Sequence, residues 1–247
     1  MKEMWKVKFE IYRKKGDAKP FFQSFEIEVD PKEYVLDGIE RIWAFHDRSL
    51  TFRHACHHST CGACGMRING VEKLTCITPI NEVTRNGGTI RVEPLRNFTV
   101  LSDLVVDMGD FYQRIEATEM SQIALLKDAD LPYEKNQIRK GDLEIERLVD
   151  CIECGLCISA CPAAYTSSEY YGPAVLAAIQ HSYCEKENKN LLSLADNENG
   201  LWRCHSAYEC SAVCPSNVDP GWRIMNLRKK VTVHKLTNLF HPGKKEQ

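Results

Sequence analysis

Trp5, Val7, Phe9 and Ile11 alternate with Lys6, Lys8 and Glu10. That period of two predicts a strand with one buried face, because successive strand side chains point to opposite sides. Phe25, Ile27 and Val29 repeat the alternation after a turn region at Gly16–Pro20. Val35, Ile39 and Ile42, with Trp43, fall at helical spacing and predict one apolar helix face. Met66 and Ile68 lead into Asn69-Gly70, a two-residue hairpin signal, and Ile90 and Val92 predict a closing strand before Pro94. Beyond about residue 105 the strand signals stop. Asp103–Arg114, Asp142–Leu148, Pro173–Tyr183 and Pro220–Val231 read as helices, with Pro173 suited to a first turn and Asp219 to an N-cap. Leu95–Asp103 reads as a connector and Glu185–Asn199 as an exposed polar excursion.

At 247 residues the chain has room for two domains, each with its own core. A formal net charge of −2 gives no reason to expect nucleic acid as a partner. No apolar run is long enough to span a bilayer. Met1–Trp5 carries charges and lacks an apolar signal-peptide core, which argues against secretion. In a reducing compartment, cysteines are metal ligands more readily than disulfides.

Twelve cysteines are present, and eleven fall into three groups. Cys56-x4-Cys61-x2-Cys64, followed by Cys76, has the plant-type ferredoxin spacing for a [2Fe–2S] cluster. Gly62 and Gly65 each follow a ligand position, where backbone must come close to sulfur. Cys151-x2-Cys154-x2-Cys157-x3-Cys161-Pro162 has the spacing of a bacterial cubane run. Cys204-x2-Ala207-x2-Cys210-x3-Cys214-Pro215 is the same run with its second cysteine missing. In two-cluster ferredoxins the fourth cysteine of each run ligates the other cluster. The crossover gives Cys151, Cys154, Cys157 and Cys214 to a [4Fe–4S] cluster. It leaves Cys161, Cys204 and Cys210 for a cluster whose fourth iron would face Ala207, which is to say [3Fe–4S]. Cys184 is left over and reads as a packing residue. A strand-rich first part around a cysteine loop, then a helical part, makes an α+β chain. Residues 1–105 are expected to form a β-grasp ferredoxin domain for [2Fe–2S], and 106–247 a helical bacterial-ferredoxin-like domain for [4Fe–4S] and [3Fe–4S].

These motifs, in this order, resemble the iron–sulfur subunit of succinate dehydrogenase and fumarate reductase over nearly the whole chain. The resemblance runs through Cys61-Gly-Ala-Cys64-Gly-Met, Ile68-Asn-Gly, Thr75-Cys76-Ile-Thr-Pro, Asp103-Leu-Val-Val-Asp107 and Cys151-Ile-Glu-Cys-Gly-Leu-Cys157. Tyr171-Gly-Pro-Ala174, Cys204-His-Ser-Ala and Cys210-Ser-Ala-Val-Cys-Pro215 complete it. It implies a complex with a flavoprotein carrying covalent FAD, which interconverts succinate and fumarate. It also implies a transmembrane anchor, with or without haem b, that holds a quinone near the [3Fe–4S] cluster. This subunit would lie peripherally on the cytoplasmic face of the cell membrane. It would pass electrons between flavin and quinone and handle no dicarboxylate itself, so that the cofactors carry the redox chemistry.

The resemblance places Pro162, His205 and Ala207 near the quinone. Tyr165 and Thr166 stand where ubiquinone-type members commonly have adjacent tryptophans, which points toward a menaquinone-type enzyme. His57 and Ser59 occupy a loop where the family usually has Arg and Gly. Rieske-type ligation by His57 and His58 is not needed, because four thiolates are already supplied. Arg228, Lys229, Lys230, Lys235, Lys244 and Lys245, with His234 and His241, make a basic tail that would face anionic headgroups, an anchor subunit or plain solvent. Two alternatives remain: the corresponding subunit of another flavin-dependent, quinone-linked dehydrogenase, and a zinc-stabilised interaction module.

Overall fold

The structure, a computed structural model, describes residues 4–118, 151–186 and 189–240. The chain divides into two compact units. Met1–Asp110, Ile152–Ala160 and Val213–Pro215 form the first; Phe111–Cys151, Cys161–Ala212 and Ser216–Gln247 form the second.

The first unit is a five-stranded mixed sheet around a helix. Its strands are β1 (Trp5–Arg13), β2 (Phe21–Val29), β3 (Gly65–Ile68), β4 (Val71–Leu74) and β5 (Thr89–Glu93), in the order β2-β1-β5-β3-β4. β1 runs antiparallel to β2 and parallel to β5, with Phe9 opposite both Phe25 and Ile90. The predicted alternation holds: Val7, Phe9 and Ile11 are buried, as are Phe25, Ile27 and Val29. The β3–β4 hairpin turns at Asn69 (φ 51°) and Gly70 (φ 87°), the two positive values that a tight hairpin turn requires.

The helix Val35–Phe45 buries Val35, Ile39 and Ile42 in the same core as the strand residues, and Leu36 is buried beside them in the chain. It lies close to β1 at Gly38, where a Cβ would stand 2.4 Å from the Phe9 ring. Trp43 departs from its expected place: it is 38 % exposed, and the Arg48 guanidinium covers its ring at 4.3 Å. One helical step past Ile42 already points away from the sheet.

The expected connector holds structure of its own. β6 (Val100–Ser102) and β7 (Val105–Val106) pair antiparallel across a turn in which Asp103 has φ 45°. The fully buried Asp103 carboxylate accepts hydrogen bonds from the Lys14 and Thr51 amides, each at 2.9 Å. It also pairs with Arg13 at 3.2 Å and Lys15 at 2.9 Å. Residues 103–108 are therefore not helical, and the helix expected from Asp103 spans Gly109–Glu116 instead. Hydrogen bonds to the Asp103 side chain compete with helical geometry at this point.

In the second unit, the helix Pro173–Lys186 starts on a proline as predicted. It is buried on all sides from Ala174 to Ser182, the signature of a central helix. Against it packs Pro220–Phe240, longer than predicted, which buries Ile224, Leu227 and Val231. Asp219 caps that helix, its Oδ1 accepting from the Trp222 amide at 3.3 Å. Arg223, 2 % exposed, donates to the Gln180 side chain at 2.9 Å and the Val218 carbonyl at 3.0 Å. The stretch 185–199 is not a plain excursion. It contains the helix Lys189–Ala195, anchored by buried Leu191, Leu192 and Ala195, an apolar set diluted by its polar neighbours in sequence. The helix predicted at Asp142–Leu148 lies outside the described residues. No helix among the described residues is long and apolar enough to cross a membrane.

Candidate metal centres

The first cysteine group sits on the loop entering β3 and on the short turn Thr75–Ile77 that follows β4. Its backbone folds around sulfur. His57 (φ 61°) and Ser59 (φ 58°) both adopt the left-handed conformation. Those reversals turn three successive donors inward: the amides of His58, Thr60 and Cys61 lie 3.5, 3.3 and 3.4 Å from Cys56 Sγ. They hold the Cys56 thiol down at about 6, the His58 amide contributing most. Such a concave array of amides is suited to a negatively charged sulfur.

Cys76, buried, is pushed the other way, to about 12, by desolvation first and then by Cys64 and Cys56. Cys64 is also buried, and Cys61 is exposed. Cys56 and Cys76 are thus pushed in opposite directions within one cysteine group, and a bound cation would favour the thiolate form of both.

Cys154 and Cys157 belong to the first unit, as does Cys214. Cys157 lies in the short helix Leu156–Ala160, which is tied to the sheet. The Ser159 hydroxyl donates to Glu72 Oε1 of β4 at 2.9 Å and accepts from the Arg96 amide at 2.8 Å, while Asn97 donates to the Ile158 carbonyl at 2.7 Å. The two cysteine loops of this unit touch. A Cβ on Gly62 would stand 2.7 Å from the Ile152 carbonyl oxygen and 2.9 Å from Cys154 Cβ. A Cβ on Gly65 would stand 3.2 Å from the Cys154 carbonyl oxygen. Both glycines are thus explained by close approach. Cys151 falls in the second unit.

Cys161, Cys204 and Cys210 line one cavity of the second unit, together with Pro162, His205 and Ala207. Burial pushes the Cys210 thiol up to about 12, and the charges of Cys161 and Cys204 add to it; burial raises Cys161 as well. Tyr170, which the sequence reading missed, also lines this cavity. Its hydroxyl is buried with no hydrogen bond of ordinary geometry among the described residues, and burial, then the nearby Cys204, Cys161 and Cys210, raise its pKa strongly. An orphaned donor aimed at three clustered thiols fits a site whose acceptor is a sulfide or thiolate. Ala207 sits between two left-handed residues, Ser206 (φ 56°) and Tyr208 (φ 61°). The Ser206 amide donates to Cys204 Sγ at 3.4 Å. For a bulky tyrosine that backbone is strained, and no local sequence signal announced it.

Tyr165 is 76 % exposed and is not among the residues lining the cavity. Members of the basic tail are engaged internally, Lys230 over the Tyr183 ring at 5.4 Å among them. Arg228 donates to the carbonyls of Leu201, at 2.7 Å, and Cys204, and Lys235 pairs with Asp196 at 2.7 Å. Lys244, Lys245 and His241 lie outside the described residues.

Known proteins match this arrangement from end to end. Residues 8–113 match a 2Fe-2S iron-sulfur cluster binding domain, and residues 147–218 match a 4Fe-4S dicluster domain. The fumarate reductase iron-sulfur subunit of Mycobacterium tuberculosis is 34 % identical over 240 residues, 94 % of each chain. The mitochondrial succinate dehydrogenase [ubiquinone] iron-sulfur subunit 3 of Arabidopsis thaliana is 32 % identical, over 91 % of this chain and 75 % of its own. Among solved structures, a chain of the Mycobacterium smegmatis Sdh1 complex in the apo form superposes with a TM-score of 0.80 at 25 % identity, covering 95 % of this chain and 98 % of that one. With its sheet-built ferredoxin unit, its cubane-type cysteine runs and relatives of that identity along almost its full length, this chain belongs to the family of iron–sulfur subunits of succinate dehydrogenases and fumarate reductases.

Proposed function

We propose that this chain is the electron-carrying subunit of a quinone-linked succinate/fumarate oxidoreductase. A flavoprotein with covalent FAD would lie at one end and a transmembrane, quinone-holding anchor at the other. Cys56, Cys61, Cys64 and Cys76 would hold [2Fe–2S]; Cys151, Cys154, Cys157 and Cys214 would hold [4Fe–4S]; Cys161, Cys204 and Cys210 would hold [3Fe–4S]. When bound, the clusters supply reversible one-electron redox chemistry. The chain would lie peripherally on the cytoplasmic face of the membrane, held by the anchor.

What carries the reading is the cavity of the second unit, where three thiols and Ala207 replace the four thiols of a cubane site. The protein's own part is ligation, distance and potential. Amides at Cys56 Sγ stabilise the more negative state of a bound centre, which raises its potential. Gly62 and Gly65 let the ligand loops approach closely. Pro162 and His205 stand at the mouth of the three-thiol cavity, where His205, exposed, can donate a hydrogen bond or a proton to a quinone. The residues at 165 and 166 favour a menaquinone-type partner.

Electron paramagnetic resonance on the purified complex tests this. An oxidised [3Fe–4S] signal and a dithionite-induced [2Fe–2S] signal are expected, with succinate-dependent quinone reduction. A colourless, zinc-containing protein would show that the cysteines are structural.

A further inference from the structure

Beside the first cysteine group lies a second set of ligand-type side chains that electron transfer does not use. Glu40, on the outer side of the helix Val35–Phe45, meets His54 and His57 of the following loop. His54 Nδ1 lies 3.0 Å from Glu40 Oε1, His57 Nε2 lies 3.2 Å from the same oxygen, and the two ring nitrogens are 3.2 Å apart. The three atoms form a nearly equilateral triangle.

Two features argue that hydrogen bonds alone do not account for it. Glu40 Oε1 is buried, yet no donor is directed at it. Nor can the single hydrogen of either ring nitrogen serve both the carboxylate and the other ring in line, since those two partners stand roughly 60° apart at each corner of the triangle. A desolvated carboxylate oxygen without a donor is costly unless positive charge faces it.

The triangle has the dimensions of a metal face. Metal–nitrogen and metal–oxygen bonds of about 2.0–2.1 Å separate neighbouring ligands by about 3.3 Å in a tetrahedron and about 2.9 Å in an octahedron. The observed 3.0–3.2 Å lies between the two. The rings are held for it. Phe52 stacks on His54 at 5.1 Å, and the left-handed backbone of His57 (φ 61°) turns its ring edge-on to His54.

We propose that Glu40, His54 and His57 bind one divalent first-row transition ion of the zinc class, with remaining positions open to water. Two imidazoles and a carboxylate suit that class rather than magnesium or calcium. Because His57 directly follows Cys56, the ion would place positive charge beside the centre held there and raise its potential. The binding site itself stands whatever the neighbouring cysteines hold.

The test uses the complex with its clusters intact, treated with a mild chelator and equilibrated with Zn2+ or Co2+. Iron and added metal are measured in the same sample, with His54→Ala, His57→Ala and Glu40→Gln beside the exposed control His46→Ala. One added ion per chain is expected in the wild type and the control, falling to background in the other three while iron content stays constant. Bound Co2+ should also speed relaxation of the reduced centre's paramagnetic signal in the wild type and the control but in none of the three triad variants. Equal metal uptake by the wild type and the triad variants, or no uptake by any of them, overturns the site. If iron is absent throughout but uptake still depends on the triad, the site stands and the cluster reading falls.

Discussion

Gly62 and Cys154 approach each other so closely that a single added methyl group on Gly62 would stand 2.9 Å from Cys154 Cβ. One residue follows Cys61 of the first cysteine group, and the other belongs to the second. Their contact is a direct step between two loops of the same unit.

Gly62→Ala is therefore expected to strain the structure in two ways. The backbone at φ 70° disfavours any Cβ, and the methyl collides with the Ile152 carbonyl. Overpacking of this kind costs about 1–3 kcal/mol. Denaturation should show that loss, and rapid-freeze paramagnetic resonance should show slower electron exchange between the two proposed centres. An unchanged midpoint and unchanged kinetics would mean that the contact sets neither.

At Ala207 the expected outcome is a change of cluster type. Ala207→Cys places a fourth thiol in the cavity lined by Cys161, Cys204 and Cys210. The oxidised [3Fe–4S] signal should fade, the centre should titrate at lower potential, and quinone reduction should slow. Persistence of the original signal and potential would show that residue 207 does not face the open iron position.

Acid should loosen the first unit through Asp103 and Asp47. Burial opposes ionisation of Asp103, but Lys15, the Thr51 and Lys14 amides and Arg13 together hold its pKa below the usual range. Hydrogen bonds from Ser49 and Arg13 hold Asp47 low as well. Both folded pKa values lie below the unfolded value of about 3.9. Their contribution is thus complete above about pH 4 and is lost as pH falls through the folded values. Asp103→Asn should flatten stability against pH in that window. Asp103→Ala, which also leaves two buried amides and Arg13 short of a partner, should cost about 3–5 kcal/mol at neutral pH. Denaturation at several pH values measures both.

Ser59 carries a left-handed backbone at φ 58°, a conformation that glycine adopts more readily than serine. Ser59→Gly should relieve that strain at some entropic cost, for a net gain of about 0.5–1 kcal/mol. A longer lifetime of the reduced first centre in air would accompany it. A lower denaturation midpoint would mean that the serine side chain stabilises the loop.

The Ser159 hydroxyl joins the short helix of Cys157 to Glu72, which is only 5 % exposed. Ser159→Ala leaves that carboxylate one donor short, for about 1–3 kcal/mol. Broadened signals from the proposed [4Fe–4S] centre, together with a lower melting temperature, would report the loosened helix.

Legibility in the sequence followed the range of the interaction. β1, β2, the Asn69-Gly70 hairpin and the proline-started helix at 173 were readable because alternation and turn chemistry are local. The β6–β7 pair was not, since its turn depends on Asp103 meeting Lys14, Thr51 and Arg13, far away in the chain. Trp43 was misplaced because helical spacing marks an apolar stripe without saying where the neighbouring layer ends. Tyr170 and Tyr208 stayed hidden, since neither carries a spacing rule.

By itself the sequence determined the cysteine inventory: three cysteine runs of known spacing, the gap at Ala207, and the change from strand to helix alternation near residue 105. Those features are local, and the covalent chain sets them. Tertiary structure alone decided the close approach of Gly62 to Cys154, the orphaned Tyr170 hydroxyl and the meeting of Glu40 with His54 and His57. Each of these joins groups distant in the chain or on different elements. Their distances follow from how sheet, helix and loop pack together, and spacing along the chain holds no record of that.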